Sequence, residues 1–194
     1  MREKNTTSVM IVGVGGQGTL LASKILGAVV QGAGHDVKVS EVHGMSQRGG
    51  SVVTYVRYGG EVCSPIIELG EADCIIAFEE LEAARYLPYL KKDGLLVVNT
   101  RKIDPMPVIL GAAKLPERIL EKLEAQPVRL AACDALALAE DAGSAKAVNL
   151  VLMGVFSAHT GFTAEQWEQA VRATVPPKFL EMNLKAFRSG GMAG

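Results

Sequence analysis

The fold of this chain is decided by residues 8–18, which read Ser-Val-Met-Ile-Val-Gly-Val-Gly-Gly-Gln-Gly. The first seven residues are almost continuously apolar and rich in β-branched side chains, as is typical of a central parallel strand buried on both faces. The glycines that follow suit a turn with positive φ angles, and apolar residues then recur at helical spacing to about Val30. Strand, glycine turn and helix form the opening unit of a doubly wound α/β fold.

Outward from this unit, strand and helix signals alternate along the chain. Further strands are predicted at 37–42, 74–78, 95–99 and 128–132. Helices are predicted at 80–90, 116–125, 134–141, 146–159, 163–172 and 176–187, with a short strand or loop near 108–109. Residues 51–58 alternate, and Gly59-Gly60 should turn them into a short strand at 61–63. We therefore predict one Rossmann-like domain over residues 1–194, with a mainly parallel sheet, a β-hairpin insert after the second strand and a helical C-terminus.

Composition excludes several classes of function. The 20 basic and 21 acidic residues are mixed, with no basic block, so neither nucleic acid nor a membrane is expected as a partner. The first seven residues lack the apolar stretch of a secretory signal, which predicts a cytoplasmic protein. The three cysteines, Cys63, Cys74 and Cys133, are odd in number and without C-x-x-C spacing, which argues against disulfides, zinc and iron–sulfur clusters.

The glycine loop is the first candidate site. Its residues are Gly13, Gly15, Gly16, Gln17 and Gly18, in the pattern G-x-G-x-x-G between a strand and a helix. Such a loop directs backbone N–H groups and a helix N-terminus at an anion. A dinucleotide site also needs an acid after the second strand, and Glu41 is the only candidate. Taken alone, the motif leaves open a dinucleotide or flavin, a phosphate or other ligand, and tight strand–helix packing.

A second glycine-rich loop follows the second predicted strand. Its candidate residues are His43, Gly44, Ser46, Gln47, Arg48, Gly49 and Gly50. Ligands bind at this edge of open α/β sheets, and the guanidinium of Arg48 suits phosphate or carboxylate. The alternative is a structural loop whose polar groups satisfy its own backbone. No catalytic residue is assigned, since the sequence holds neither a G-x-S-x-G elbow nor an H-E-x-x-H metal motif.

Together, in this order and separation, the two loops resemble the gamma-type subunit family of pyruvate/2-oxoacid:ferredoxin oxidoreductases. The resemblance continues through Ala72-Asp73, Gly94, and residues 146–149 leading to Met153-Gly154. Residues 176–187 are similar to the indolepyruvate branch of that family, whose small subunit is usually called beta.

The resemblance implies a complex that oxidatively decarboxylates a 2-oxoacid to an acyl-CoA and passes electrons to ferredoxin. It implies that thiamine diphosphate, Mg²⁺ and [4Fe–4S] clusters belong to a larger partner subunit, which also meets ferredoxin. This chain is then expected to bind no cofactor and to be inactive alone. The two glycine loops and Asn149 would face coenzyme A or the partner. A stand-alone nucleotide- or flavin-binding oxidoreductase and a purely structural assembly subunit are the alternatives.

Overall fold

A computed structural model describes residues 6–44 and 50–194 and contains one six-stranded sheet of order β2-β3-β1-β4-β5-β6. The strands are β1 (Thr6–Val14), β2 (Asp36–His43), β3 (Ser51–Gly59), β4 (Ala72–Ala77), β5 (Leu90–Asn99) and β6 (Arg129–Cys133). The α-helices are α1 (Thr19–Gly32), α2 (Glu80–Tyr86), α3 (Met106–Ile109), α4 (Ile119–Glu124), α5 (Ala135–Ala142), α6 (Val148–Ser157), α7 (Ala164–Thr174) and α8 (Leu180–Gly191). In the described residues, no helix is long and apolar enough to cross a bilayer.

The parallel part of the sheet is formed by β1, β4, β5 and β6, each of which pairs with its neighbour in parallel. The predicted α/β class, the mainly parallel sheet and the helical C-terminus are therefore confirmed. Helix α7 begins with a capping box, in which Gln166 N donates to Thr163 Oγ1 at 3.3 Å and Thr163 N donates to Gln166 Oε1 at 2.8 Å.

Strand β3 runs antiparallel between β1 and β2, so the hairpin is formed by β2 and β3. The predicted turn at 59–60 into a strand at 61–63 is wrong, because β1 and β2 already occupy both edges of β3. Instead, residues 61–63 form no strand, and Val62 N donates to the side chain of Asp36 in β2, at 2.9 Å from Oδ2. Strand β2 is left as the edge, with no buried residue along its length.

Helices cover both faces of the sheet. Helices α1 and α5–α8 pack against one face, and α2, α4 and Ile67 pack against the other. Residues 148–156 of α6 are all buried, as the apolar sequence predicts. Helix α8 lies so close to α6 that a Cβ on Gly154 would overlap the Phe187 carbonyl oxygen, and one on Gly190 would overlap the Val151 carbonyl oxygen.

A few boundaries differ from those predicted. Residues 108–109 belong to α3 and not to a strand, and Leu110 N donates to Met106 O at 2.9 Å in that turn. Helix α4 begins at Ile119 instead of 116, because Arg118 has a φ of 56° that a helix does not accommodate. Helix α8 continues to Gly191, past the predicted end at 187.

Candidate anion-binding site at the glycine loop

Three features shape the glycine loop between β1 and α1: positive φ angles, close packing and a side-chain hydrogen bond. Gly16 and Gly18 have φ angles of 99° and 88°, which side chains with a Cβ rarely adopt. A Cβ on Gly13 would overlap Gln17 Oε1 and lie 2.9 Å from Phe78 Cβ, so Gly13 serves packing. Gln17 closes the loop, because its Oε1 accepts a hydrogen bond from Val14 N at 2.8 Å.

The N-terminus of α1 opens directly from this loop. Gly18 is the N-cap and offers no side-chain cap, and the first turn contains no acidic residue. The first N–H groups of a helix have no partner within the helix, and together with the helix dipole they favour an anion.

Asn149, at the start of α6, supports the loop from behind. It is buried, and its Nδ2 donates to the Gly18 carbonyl oxygen at 3.3 Å. A Cβ on Gly18 would lie only 2.7 Å from that nitrogen. The structure thus brings Asn149 to the glycine loop, where its amide group positions the backbone.

The second loop meets the first. Gly15 N donates to Gly50 O at 2.9 Å, and His43 and Gly44 are exposed beside it. Ser46, Gln47, Arg48 and Gly49 lie outside the described residues.

The chain leaving the second loop is anchored to α2. Ser51 Oγ donates to the Glu82 carboxylate, which also accepts from Arg85 Nε at 2.8 Å. The hydrogen bond that Arg85 donates to the Glu82 carboxylate raises the pKa of the Arg85 guanidinium. The buried carboxylate therefore ties β3 to α2 next to the glycine loop.

Two cavities flank the glycine loop. The first, of about 410 Å³, lies towards β2 and is lined by Gly15, Gly16, Gly18, Thr19, Leu20, Glu41, His43 and Val52. The second, of about 310 Å³, lies towards β5 and is lined by Gly16, Gln17, Gly18, Asn99, Arg101, Ala145, Lys146 and Val148. Both volumes suit a small ligand or part of a larger one.

The charges of the two cavities are opposite. The first contains the Glu41 carboxylate, which accepts a hydrogen bond from Thr54 Oγ1 at 3.3 Å. The second contains Arg101 and Lys146, and neither side chain forms an ion pair within residues 6–44 and 50–194. The first-turn residues Thr19 and Leu20 line the first cavity, and only the N-cap Gly18 lines both. The two cations are therefore the feature that favours an anion in the second cavity.

The position of Glu41 weighs against a dinucleotide site. In such sites the acid follows the strand next to β1. Here β3 separates β2 from β1, and adjacent strands lie about 4.8 Å apart, which displaces β2 to roughly 10 Å. Glu41 is thus one strand too far from the glycine loop for the usual ribose contact.

Two buried carboxylates after β4 were not singled out from the sequence. Glu79 caps α2 by accepting from Leu81 N at 3.0 Å and Glu82 N at 2.7 Å. Glu80 Oε2 has no hydrogen bond, and Lys102 Nζ lies 3.9 Å away. Burial raises the pKa of both carboxyls. In the sequence, these carboxylates could have been recognised because three glutamates occur within four residues, directly after a buried strand.

We expect Glu80→Gln to stabilise the chain by about 1 kcal/mol at pH 7, because it removes a buried charge that lacks a hydrogen bond. Burial raises the pKa of Glu80 above its unfolded value, so the folded state binds more protons than the unfolded state. The free energy of unfolding of the wild type therefore falls as pH rises from about 4.5 through the raised pKa. Urea unfolding at pH 4, 5.5 and 7 measures the difference, which should vanish at pH 4.

The exposed Glu140→Gln is the matched control and should change little at any pH. Parallel pH dependences for the wild type and Glu80→Gln would show that Glu80 titrates as in the unfolded chain.

The cysteines do not fit an iron–sulfur cluster. The sequence has three, one fewer than the four thiolates of a cluster. Burial raises the pKa of Cys74, and it raises the pKa of Cys133 to about 11, which disfavours the thiolate. In the part of the chain that the structure describes, no group of three His, Cys, Asp or Glu residues could hold a metal ion.

Residues 8–193 match the family described as pyruvate ferredoxin/flavodoxin oxidoreductase, and the chain belongs to this family. The membership expected from the two loops is confirmed. The chain is 44% identical to indolepyruvate oxidoreductase subunit IorB of Pyrococcus horikoshii, over 98% of this chain and 95% of that protein. It is 42% identical to the subunit of the same description from Archaeoglobus fulgidus, over 94% and 92%.

Solved structures agree on the fold. A keto/oxoacid ferredoxin oxidoreductase gamma subunit from Geobacter sulfurreducens has a TM-score of 0.73 at 26% identity, covering 96% of this chain and 97% of that one. The 2-oxoglutarate:ferredoxin oxidoreductase of Magnetococcus marinus, solved with 2-oxoglutarate, coenzyme A and succinyl-CoA, has a TM-score of 0.74 at 19% identity. That likeness covers 98% of this chain but 31% of the larger one.

Proposed function

We propose that this chain is the small subunit of an indolepyruvate-type 2-oxoacid:ferredoxin oxidoreductase. The observation that carries the proposal is 44% identity, over 98% of the chain, to an indolepyruvate oxidoreductase subunit. The complex would oxidatively decarboxylate an aryl pyruvate to an acyl-CoA and transfer electrons to ferredoxin.

The proposal assigns the cofactors to a larger subunit. Thiamine diphosphate with Mg²⁺ would supply the carbanion chemistry and [4Fe–4S] clusters the electron transfer, and ferredoxin would dock on that subunit. The three cysteines of this chain, two of them with raised pKa values, support this division. Residues 1–194 would act as one gamma-type domain that works only in the complex, in the cytoplasm.

The second cavity is proposed to receive an anionic group of coenzyme A. Arg101 and Lys146 are exposed, cationic and free of ion pairs in the described part of the chain, and Gly18, the N-cap of α1, lines the same cavity. Phosphate groups are recognised by this combination of cations and helix N–H groups. Gln47 and Arg48 of the second loop remain predicted contacts to the same ligand or to the partner.

A purely structural role for the loops is the second candidate, and one observation favours it. The side chains of Gln17 and Asn149 are already engaged by Val14 N and the Gly18 carbonyl oxygen. Both side chains could therefore serve only to shape the loop for an interface.

Affinity purification of the tagged chain from its native cell tests the function. We expect capture of a larger chain that contains iron, sulfide and thiamine diphosphate, and viologen reduction that depends on indolepyruvate and coenzyme A. Pyruvate and 2-oxoglutarate serve as control substrates. If the chain is recovered without a larger chain but with bound nucleotide or flavin, the stand-alone oxidoreductase replaces this proposal.

A further inference from the structure

Residues 101–118, between β5 and α4, form an exposed arm that contains α3. None of its residues is buried. The backbone hydrogen bonds of its centre close within the arm, as from Leu110 N to Met106 O at 2.9 Å and from Ala112 N to Pro107 O at 2.8 Å. At its base, Glu80 N donates to Arg101 O at 3.0 Å. The arm therefore holds a compact turn that the body of the chain does not cover.

The arm presents large apolar side chains to solvent. Met106, Ile109 and Leu110 are 61%, 63% and 74% exposed. Their spacing of i, i+3 and i+4 places them on one face of the helical turn. Together they expose on the order of 300 Å² of apolar surface, which is comparable to the largest apolar patch of a typical monomer, and such patches are often functional. Helical side chains at this spacing are the usual anchors of a helix that lies in an apolar groove.

We propose that the arm inserts this apolar face into a groove on the larger subunit of the oxidoreductase. The inference rests on the proposed function and names the surface through which the two chains meet. In the Magnetococcus marinus protein the same fold makes up 31% of a larger chain, so it exists there attached to a larger body. The first residue of the arm, Arg101, also lines the second cavity. A partner that binds the arm would therefore lie next to the candidate anion site.

The area that the arm can bury favours the larger subunit over a second copy of this chain as its partner. Two arms packed face to face would bury roughly 300 Å² per chain, well below the about 800 Å² per partner of a stable interface. A larger subunit can enclose the arm and cover the adjoining cavity edge as well. Lys102 and Arg118 of the arm pair with Glu80 and Glu121 of the same chain. The other two basic residues, Arg101 and Lys114, are balanced by Asp104 and Glu117. Apolar contact and not net charge is therefore expected to hold the arm in the groove.

Replacing Met106, Ile109 and Leu110 together with serine tests the surface. With the larger subunit co-expressed, we expect the dissociation constant of the complex to rise at least tenfold. The thermal midpoint of the isolated small chain should stay unchanged, because these side chains are already exposed. The control variant carries serine at Leu69, Phe179 and Met192, which are exposed elsewhere, and it should assemble like the wild type.

A photo-crosslinking residue at Ile109 in the assembled complex gives an independent readout. A crosslink to the larger subunit supports the proposal, whereas a crosslink to a second small chain overturns it. Unchanged affinity of the triple variant would contradict the proposed insertion of the arm into the larger subunit, and it would leave the proposed function intact. Failure of the wild-type chain to bind the larger subunit would overturn both.

Discussion

Replacing Gly190 with alanine is expected to lower the free energy of unfolding by about 3 kcal/mol, the upper part of the range for overpacked cores. The new Cβ would overlap the Val151 carbonyl oxygen, and backbone cannot rotate away as a side chain can. Helix α6 is buried along residues 148–156 between the sheet and α8, so it has no room to move away from α8. Urea unfolding of the two proteins measures the change.

The adjacent Gly191→Ala variant is the matched control on the same helix. Its Cβ would lie 3.7 Å from the nearest atom, the Gly154 carbonyl oxygen, which is ordinary contact. This variant should remain within about 0.5 kcal/mol of the wild type, as substitutions without clashes do. Helix propensity favours alanine over glycine at both positions. Equal losses for both variants would therefore mean that the overlap with the Val151 carbonyl oxygen is not what destabilises the Gly190→Ala variant.

The double variant Arg101→Ala, Lys146→Ala is expected to raise the apparent KM for coenzyme A of the assembled complex at least about tenfold, with a smaller change in kcat. Hydrogen bonds to charged groups contribute about 1.5–3 kcal/mol each, and about 1.4 kcal/mol corresponds to tenfold in affinity. Both side chains are exposed and without ion pairs in the described residues, so their removal should leave folding intact. Viologen reduction at varied coenzyme A concentration measures the KM.

Lys92→Ala, Lys178→Ala serves as the control, since both side chains are exposed cations that line neither cavity beside the glycine loop. Its KM should equal that of the wild type. An unchanged KM in the Arg101, Lys146 double variant would contradict coenzyme A binding in this cavity. Weaker assembly together with that result would assign the cavity to the subunit interface.

Local signals were sufficient for most of the fold. The apolar run of β1, the glycine turn and the periodicity of α1 each identify their element without distant contacts. The alternation of residues 51–58 identified β3 as a strand but not its partners, because pairing depends on which edges remain free. Only the three-dimensional structure shows β3 between β1 and β2, which leaves residues 61–63 no edge to join.

Local sequence patterns also predicted only one part of the candidate site, the two glycine loops. Each glycine loop has its own sequence signature, and the structure brings the two together through Gly15 and Gly50. Arg101 and Lys146 have no such signature, since each is a single cation after a different element. They meet at the glycine loop through the order of the strands and the packing of α6, which no local pattern specifies.

The insertion of β3 also bears on the order of folding. Strands β2 and β3 are joined by a short connection and can pair early, because closing a short loop costs little entropy. The hairpin must then dock on β1 as a unit to complete the sheet. Its outer strand, β2, has no buried residue and is held on one side only. Amide protons of this strand should therefore exchange with solvent through local opening, long before those of β1 at the centre.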